Sequence, residues 1–257
     1  MHMRSQDIAD WLRENVIAAG AQGLVVGLSG GVDSAVVARL CQLATPDRVV
    51  AVIMPCHGDP RDEEDARLVV EHFKLPAVHV DLQAAYDRFA GDLEAAIARL
   101  PPGQRPAPTS QEADSRVHVP LANVKPRMRM TALYFFANSL NYIVAGTGNR
   151  CELALGYFTK FGDGAADVLP IGHLLKSEVR ALARALDVPP AVIDKAPSAG
   201  LWPGQTDEAE MGASYAALER YLQDGPEAVP PAMALRIERL MRQTEHKRAP
   251  IPTPAAS

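Results

Sequence analysis

The stretch GLSGGVDSA, residues 27–35, decides the fold because it joins an apolar run to a helical pattern. The run Leu24-Val25-Val26 precedes it, and Val36-Val37-Ala38-Arg39-Leu40 follows it. A strand, a glycine turn and a helix start in succession are typical of a phosphate-binding loop. Glycine lets backbone amides approach an anion closely, and the helix N-terminus adds partial positive charge. We therefore expect a phosphate-bearing ligand at this turn.

Strand-like apolar segments alternate with helical patterns on both sides of the loop. The patterns predict strands at 24–28, 49–54, 77–80 and 142–145, and helices at 5–19, 34–44, 61–74, 82–100, 121–139 and 176–186, with an early break at Pro126. This alternation predicts an α/β fold, a parallel β-sheet flanked by helices on both faces, as a single domain over 1–257. Ligands of such sheets bind at the carboxyl ends of the strands, where the loop lies.

Two stretches rich in proline and glycine interrupt the alternation. They are 101–119, which begins PPGQRPAP, and 195–207, which reads KAPSAGLWPGQTD. Neither sequence continues a helix, so we expect long irregular segments there. A linker, a mobile lid and a disordered insert all fit the first stretch. Because both stretches belong to a chain with a nucleotide loop, both are candidate mobile lids. We expect a flexible tail at 249–257.

The composition disfavours several classes of partner. The formal net charge is −5, which lacks the positive excess needed to bind a long nucleic acid. No apolar run reaches the roughly 18 residues of a membrane span, and the first residues show no cleavable signal pattern. Cys41, Cys56 and Cys151 form no Cys-x-x-Cys pair, so a disulfide framework or zinc site is not indicated. We expect a cytoplasmic protein without nucleic-acid or membrane partners.

Asp33 stands where the common nucleotide loop, Gly-x-x-x-x-Gly-Lys-Ser, carries lysine. A carboxylate beside phosphates is repulsive unless a divalent cation lies between them, so Asp33 predicts Mg²⁺ as cofactor. An isolated Asp after two glycines would be better explained as a helix N-cap. The complete string Ser-Gly-Gly-x-Asp-Ser after a strand resembles the pyrophosphatase loop of ligases that cleave ATP between the α and β phosphates. That resemblance implies AMP-forming chemistry and leaves the substrate open.

Four further stretches narrow the choice of substrate. They are NVKPRMRM at 123–130, GTGNRCE at 146–152, GYFTKFGDGAAD at 156–167 and TEHKR at 244–248. With the loop, they resemble the NAD⁺ synthetase family over about residues 5–248. The resemblance implies a Rossmann-like adenine nucleotide alpha hydrolase fold, a homodimer, and ATP-dependent amidation of deamido-NAD (nicotinic acid adenine dinucleotide) to NAD⁺ through an acyl-adenylate. That reaction releases AMP and pyrophosphate and is the final step of NAD biosynthesis.

The same resemblance implies roles for individual residues. It assigns Asp33, Glu152 and Lys176 to catalysis, and Asp33 and Glu152 to Mg²⁺. It assigns ATP binding to Gly27, Leu28, Ser29, Gly30, Gly31, Val32, Asp33, Ser34, Thr147, Lys176 and Ser198. It assigns deamido-NAD binding to Arg127, Lys160, Asp167, His246 and Lys247. The family more often has Thr where Ser198 stands, a difference that keeps the hydroxyl.

Some of these residues have simpler explanations. Glu152 could be a solvated residue in a first helical turn, where a negative charge is favourable. On composition alone, His246 and Lys247 belong to a solvated tail. Arg129 could share the substrate role of Arg127 or form a buried ion pair within its helix.

Asp163, in the glycine-rich stretch at 156–167, could contact either the metal or the substrate.

The residues present and absent indicate the nitrogen donor and help to judge the alternative functions. Glutamine use requires an amidase with an activated nucleophile, and the synthetase resemblance already occupies nearly all of the chain. We therefore expect ammonia, either free or delivered by a separate protein. A tRNA-modifying adenylyltransferase is disfavoured by the acidic charge and the missing Cys-x-x-Cys. A catalytically silent nucleotide-binding protein is disfavoured by Asp33 and Glu152.

Overall fold

A four-stranded parallel sheet forms the centre of the protein. The computed structural model describes residues 5–105, 115–198 and 206–254. The strands are Gly23–Gly27 (β1), Val49–Ile53 (β2), Ala77–His79 (β3) and Tyr142–Ala145 (β4), in the order β3-β2-β1-β4. Val25 of β1 pairs with Val50 of β2 on one side and with Val144 of β4 on the other. The predicted α/β fold with a parallel sheet is confirmed.

Helices connect the strands and continue beyond them. They are Ser5–Ala18 (α1), Val32–Ala44 (α2), Pro60–Phe73 (α3), Gln83–Ala98 (α4), Ser115–Ala122 (α5), Val124–Leu140 (α6), Arg150–Leu155 (α7), Lys176–Ala185 (α8), Pro190–Ile193 (α9), Asp207–Met211 (α10), Tyr215–Asp224 (α11) and Pro231–Gln243 (α12). Short 3₁₀ turns lie at Pro102–Gln104, Pro226–Ala228 and Glu245–Lys247. In the described ranges, no helix combines the length and the apolar content that a bilayer crossing requires.

The two faces of the sheet belong to separate hydrophobic clusters because neighbouring strand residues point in opposite directions. Leu24 and Val26 of β1 pack in the larger cluster, which includes residues of α1, α2, α3 and α8. Val25, with Val52 and Val144, packs in a second cluster with residues of α6. Strands buried on both faces are continuously apolar, as the sequence of β1 shows.

A third cluster is purely helical and adjoins the carboxyl end of β4. It contains residues of α7, α10, α11 and α12: Cys151, Leu155, Met211, Tyr215, Leu218 and Ile237, together with Leu175, which precedes α8. Because α7 follows directly after β4, this cluster places the C-terminal helices beside the edge of the sheet where the glycine turn lies. The C-terminal part of the chain therefore forms one wall of the site.

Two features differ from the sequence predictions. The irregular segment predicted at 101–119 is wrong for residues 115–119, which belong to helix α5. The break in the helix predicted at 121–139 occurs at Asn123 and not at Pro126. Pro126 lies in the first turn of α6, where its missing N–H costs no intrahelical hydrogen bond. Residues 106–114, 199–205 and 255–257 lie outside the described residues, so mobility of the two loops and the tail stays a prediction.

Candidate active site

A cavity of about 670 Å³ opens at the carboxyl ends of β1, β2 and β4. This volume falls within the range of small-molecule sites in proteins. Ten of the eleven residues predicted to bind ATP line it: Gly27, Leu28, Ser29, Gly31, Val32, Asp33, Ser34, Thr147, Lys176 and Ser198. The exception is Gly30, the residue of the turn that packs against the backbone of Asp62 in α3. The structure therefore brings the predicted nucleotide residues together in one cavity.

Two serines hold the glycine turn in shape. The Ser34 hydroxyl donates to the carbonyl of Gly31 at 2.8 Å and accepts from the amide of Ser29 at 3.2 Å. The Ser29 hydroxyl accepts from the amide of Gly31 at 3.3 Å. Gly31 is the N-cap of α2 and has no side chain with which to cap it. The first amides of the helix are thus left for an anion.

Gly30 is required by its conformation and by its neighbour. Its φ is +80°, a left-handed value that L-residues with side chains rarely adopt. A Cβ at this position would overlap the backbone carbonyl of Asp62 in α3. The turn therefore rests directly on the backbone of α3, and only glycine fits between them.

Asp33 lies in the first turn of α2 and forms an ion pair with Lys176. The N-cap position belongs to Gly31, so the alternative that Asp33 caps the helix is wrong. The Lys176 ammonium donates to Asp33 Oδ2, and the two side chains are only 4% and 16% exposed. In the part of the chain that the structure describes, the other carboxylate oxygen, Oδ1, is buried and accepts no hydrogen bond. Asp33 therefore has one oxygen left for a further cation.

Glu152 is fixed in place by a reciprocal cap at the start of α7. The Asn149 side chain accepts from the amide of Glu152 at 3.1 Å, and Glu152 Oε2 accepts from the amide of Asn149 at 3.1 Å. Burial, and next the negative charge of Asp33, raise the pKa of the Glu152 carboxyl. The alternative of a freely solvated Glu152 is wrong. A cation near Asp33 and Glu152 would relieve the repulsion that raises this pKa.

A hydrogen-bonded group around Asp207 forms the far wall of the site. The hydroxyl of Tyr215 donates to Asp207 Oδ2 at 2.9 Å and lies 3.4 Å from Glu152 Oε1. The hydroxyl of Tyr157 contacts Asp207 Oδ1 at 3.3 Å. The Lys176 ammonium lies 5.2 Å from the centre of the Tyr215 ring. Asp207 is 4% exposed, and burial is the main cause that raises its carboxyl pKa.

This group was not predicted from the sequence because its members lie far apart in the chain. Asp207 begins α10 and resembles any acidic residue at a helix start. Its amide donates to the carbonyl of Pro197 at 3.2 Å, so residues before and after 199–205 meet. Nearby, the Lys195 ammonium forms ion pairs with Asp62, at 2.7 Å, and Asp65 of α3. No short motif in the sequence signals these contacts.

The residues predicted to bind deamido-NAD are divided between the cavity and the surface beside it. Lys247 lines the cavity and donates to the carbonyls of Gly156 and Phe158 at 2.7 and 2.6 Å. The Lys160 ammonium donates to the carbonyl of His246 at 2.5 Å, and Arg127 donates to the carbonyl of Lys160 at 3.4 Å. The alternative of a solvated tail is therefore wrong for Lys247, whereas His246 is held through its carbonyl and its side chain is exposed.

Asp167 is bound to the end of the sheet. Its Oδ2 accepts from the amide of Val144 at 2.7 Å, and its Oδ1 accepts from the hydroxyl of Tyr134 at 3.2 Å. Of the five predicted dinucleotide residues, only Lys247 lines the cavity; Arg127, Lys160, Asp167 and His246 do not. Asp163 does line the cavity, and its Oδ1 accepts from the amide of Thr159 at 2.9 Å.

The carboxylates fit a magnesium ion shared with a nucleotide. Among residues 5–105, 115–198 and 206–254, no three His, Cys, Asp or Glu side chains form a group that could hold a metal alone. Mg²⁺ is commonly held by one or two carboxylates, with substrate phosphates and water as the other ligands. Asp33, with its unpartnered oxygen, and Glu152 provide two such carboxylates beside the turn.

The family model and the similar proteins agree with one another. The family model of NAD synthase matches residues 4–251. The chain is 46% identical to the NH₃-dependent NAD⁺ synthetase of Carboxydothermus hydrogenoformans, over 95% of this chain and 94% of the relative. Among solved structures it resembles the NMN synthetase of Francisella tularensis, with TM-score 0.85, 39% identity, and 97% and 96% of the two chains covered. It also resembles an NH₃-dependent NAD synthetase from Campylobacter jejuni, with TM-score 0.75, 30% identity, and 98% and 97% covered.

Proposed function

The chain belongs to the NAD synthase family and catalyses the ATP-dependent amidation of deamido-NAD with ammonia, and we propose that the cavity at the glycine turn is where this happens. The reaction is the final step of NAD biosynthesis. The observation that carries the proposal is the convergence of the turn at 27–34, Glu152 and Lys176 on one cavity.

In this proposal, Asp33 and Glu152 hold Mg²⁺ together with the phosphates of ATP. When bound, the ion would supply positive charge that neutralises the phosphates during the displacement at the α-phosphorus. The unpartnered Oδ1 of Asp33 and the raised pKa of Glu152 support this assignment, because one oxygen of Asp33 has no described partner and Glu152 is buried near the negative charge of Asp33.

The chain itself contributes positioning and charge to the first half-reaction. The nicotinate carboxylate of deamido-NAD attacks the α-phosphorus of ATP, an oxygen–phosphorus bond forms, and the bond to the leaving pyrophosphate breaks. The open amides at the start of α2 donate hydrogen bonds to the oxygens of the leaving pyrophosphate, and the Lys176 ammonium neutralises an adjacent phosphate oxygen. Neither role needs a covalent intermediate on the protein, so the turn works by binding the leaving group.

The second half-reaction joins nitrogen to carbon. Ammonia attacks the acyl carbon of the adenylate, the carbon–oxygen bond to AMP breaks, and the nitrogen loses its extra proton to solvent. Water would destroy the adenylate, so access must be restricted. We propose that the segment around 195–207 restricts it. The hydrogen bond from the Asp207 amide to the Pro197 carbonyl and the ion pairs of Lys195 support this role, since they hold the described residues at the two ends of this segment beside the cavity.

Deamido-NAD binds, in this proposal, across the cavity rim through Arg127, Lys160, Asp167, His246 and Lys247. Lys247 reaches the cavity, and the other four lie on the surface next to it. Contacts of Lys160 with His246 and of Arg127 with Lys160 support a shared surface.

Turnover of the purified chain tests the function. We expect AMP and NAD⁺ in equal amounts when deamido-NAD, Mg-ATP and ammonium are present, and neither when any one is omitted. Glutamine in place of ammonium should give no product above the level of contaminating ammonia, because glutamine use requires an activated nucleophile. AMP formation that does not depend on deamido-NAD would contradict the proposal.

A second candidate substrate is the acid form of the mononucleotide. The likeness to the NMN synthetase of Francisella tularensis, at TM-score 0.85, favours it. Nicotinate mononucleotide carries the same carboxylate and lacks the adenylate half. Measuring kcat/KM for both acids in the same assay ranks them. We expect deamido-NAD to be preferred, because Lys247 and the rim residues would contact the part of the dinucleotide beyond its nicotinate end.

We also propose that two copies of the chain form a homodimer through the outer face of α6 and the neighbouring edge strand β3. Phe135 of α6 is 65% exposed, and Val78 of β3 is 36% exposed. A shallow apolar groove is lined by Phe135 together with Val80, Leu82, Met128 and Phe136. Apolar surface of this kind is typical of an interface.

The oligomeric state in solution tests this arrangement. We expect Phe135→Glu to produce monomers in sedimentation at concentrations where the unaltered chain is dimeric, because a charge would be buried at the contact. Ile17→Glu is the matched control, since Ile17 is 70% exposed on α1, which packs on the opposite side of the sheet. Dimers of the Phe135 variant would exclude this face.

We propose that the protein acts in the cytoplasm, where ATP is supplied. Its three cysteines are buried free thiols, which agrees with a reducing compartment.

A further inference from the structure

Two arginines of α6 stand two residues apart and face different surroundings. The residues of α6 and its N-cap that line the cavity are Asn123, Pro126, Arg129, Met130 and Leu133. This spacing of three and four is one face of a helix. Arg127 lies off that face and is exposed. Only the second arginine of the NVKPRMRM stretch therefore reaches the cavity.

Arg129 is fixed against the end of β2. Its Nε donates to the carbonyl of Met54 at 3.1 Å, immediately after the last residue of the strand. Met54 and Cys56 line the same cavity, and Leu133, one turn further along α6, approaches Gly27 at the start of the glycine turn. The guanidinium is therefore held at the carboxyl end of β2, and Arg129 lines the same cavity as the predicted pyrophosphate loop.

The guanidinium has no counter-ion in the part of the chain that is described. It makes no ion pair there, and its terminal amino groups donate to no described residue. Burial lowers the pKa of Arg129, and the neighbouring Cys56, Asp163 and Asp62 offset this only in part. A partly buried cation without a partner is costly unless a ligand supplies the anion. The alternative of an ion pair within the helix is wrong for Arg129.

We propose that Arg129 binds a phosphate oxygen of the nucleotide substrate through its free terminal amino groups. A planar guanidinium matches a phosphate with two parallel hydrogen bonds, which a lysine at this position could not make. The phosphate belongs either to ATP or to the dinucleotide, since both carry a phosphate chain and both are substrates of the proposed function, on which this inference rests. Arg129 is then a substrate-contacting residue in addition to those that the sequence motifs assign.

The experiment measures affinity and turnover separately in Arg129→Met, which removes every donor but keeps an unbranched chain of similar width. We expect the KM for ATP or for deamido-NAD to rise by about 10- to 100-fold, the loss typical of a charge-assisted contact. The substrate whose KM rises identifies the phosphate. Titration calorimetry with Mg-ATP alone and with deamido-NAD alone should show the same loss without turnover. Arg184→Met on α8, an exposed arginine, is the matched control.

Arg129→Lys keeps the positive charge, and it is the variant to measure if Arg129→Met does not fold. We expect its KM for the same substrate to rise by about 3- to 10-fold, because lysine lacks the paired donors. Unchanged KM and affinity values in a folded variant would overturn the proposal, and so would a fall in kcat alone. Reduced thermal stability with unchanged affinities would assign Arg129 to holding the Met54 carbonyl. If the unaltered chain forms no AMP from deamido-NAD, the proposed function fails, while the titrations with Mg-ATP and deamido-NAD still decide the role of Arg129.

Discussion

Asp33→Asn should reduce AMP formation by about a thousandfold or more and leave the protein folded, since metal-bound charge at a phosphate is worth several kcal/mol. Asparagine has nearly the same shape and can still accept a hydrogen bond from Lys176. It lacks the negative charge that would hold Mg²⁺ with the nucleotide. The pair formed by Asp33 and Lys176 is buried, so the substitution acts where solvent cannot replace the lost charge.

The measurement combines release of AMP with thermal unfolding. Asp47→Asn is the matched control, because Asp47 is exposed in the turn after α2, and its activity should equal that of the unaltered chain. A second readout is the rise in unfolding temperature on adding ATP with Mg²⁺, which should disappear in the Asp33 variant. A folded Asp33→Asn protein with near-normal turnover would remove Asp33 from the mechanism.

Gly30→Ala should lower the free energy of unfolding by about 2–6 kcal/mol, from a left-handed backbone and a steric overlap of roughly 1–3 kcal/mol each. The added Cβ meets the carbonyl of Asp62, and backbone of α3 cannot move aside as a flexible side chain could. For a chain of this size we expect the unfolding temperature to fall by about 10 °C.

Gly31→Ala is the control for this effect, because Gly31 differs from Gly30 in its backbone conformation and in the space around it. The φ of Gly31 is −90°, and the closest atom to an added Cβ is Ser29 Oγ at 3.5 Å, an ordinary contact. We expect a loss of at most about 1 kcal/mol there. Chemical denaturation of the two variants gives the comparison. Equal stability of both would show that the turn does not rest on α3 as tightly as the structure indicates.

The sequence was sufficient to predict the sheet and the position of its site. Continuous apolar runs mark buried parallel strands, and strand ends of a parallel sheet share one edge, so Asp33 and Glu152 could be expected together. Lys176 was assigned from resemblance alone, since its ion pair with Asp33 joins residues 143 positions apart. Asp207 and its tyrosines escaped prediction because packing of separate helices creates that group.

The α6 arginines show why site residues are harder to predict than elements. The sequence motif contains Arg127 and Arg129, and the face that each occupies depends on where the helix begins. Pro126 suggested a break, whereas the helix begins at Val124 and keeps Pro126 in its first turn. The continuous helix turns Arg129 toward the cavity and Arg127 away from it. An error of a few residues in a helix boundary thus changes which side chain is assigned to the ligand.

The reciprocal cap at the start of α7 has a consequence for the interpretation of mutants. One oxygen of Glu152 accepts from the Asn149 backbone, and the other faces the hydroxyl of Tyr215. Replacing Glu152 would remove the cap of α7 and the proposed Mg²⁺ ligand at the same time. A loss of activity in such a variant could therefore not be assigned to either cause alone. The Oδ1 of Asp33 serves no other described group. Asp33 also pairs with Lys176 through Oδ2, but an asparagine oxygen can still accept that hydrogen bond, so of the two carboxylates Asp33 is the one whose substitution disturbs the architecture less.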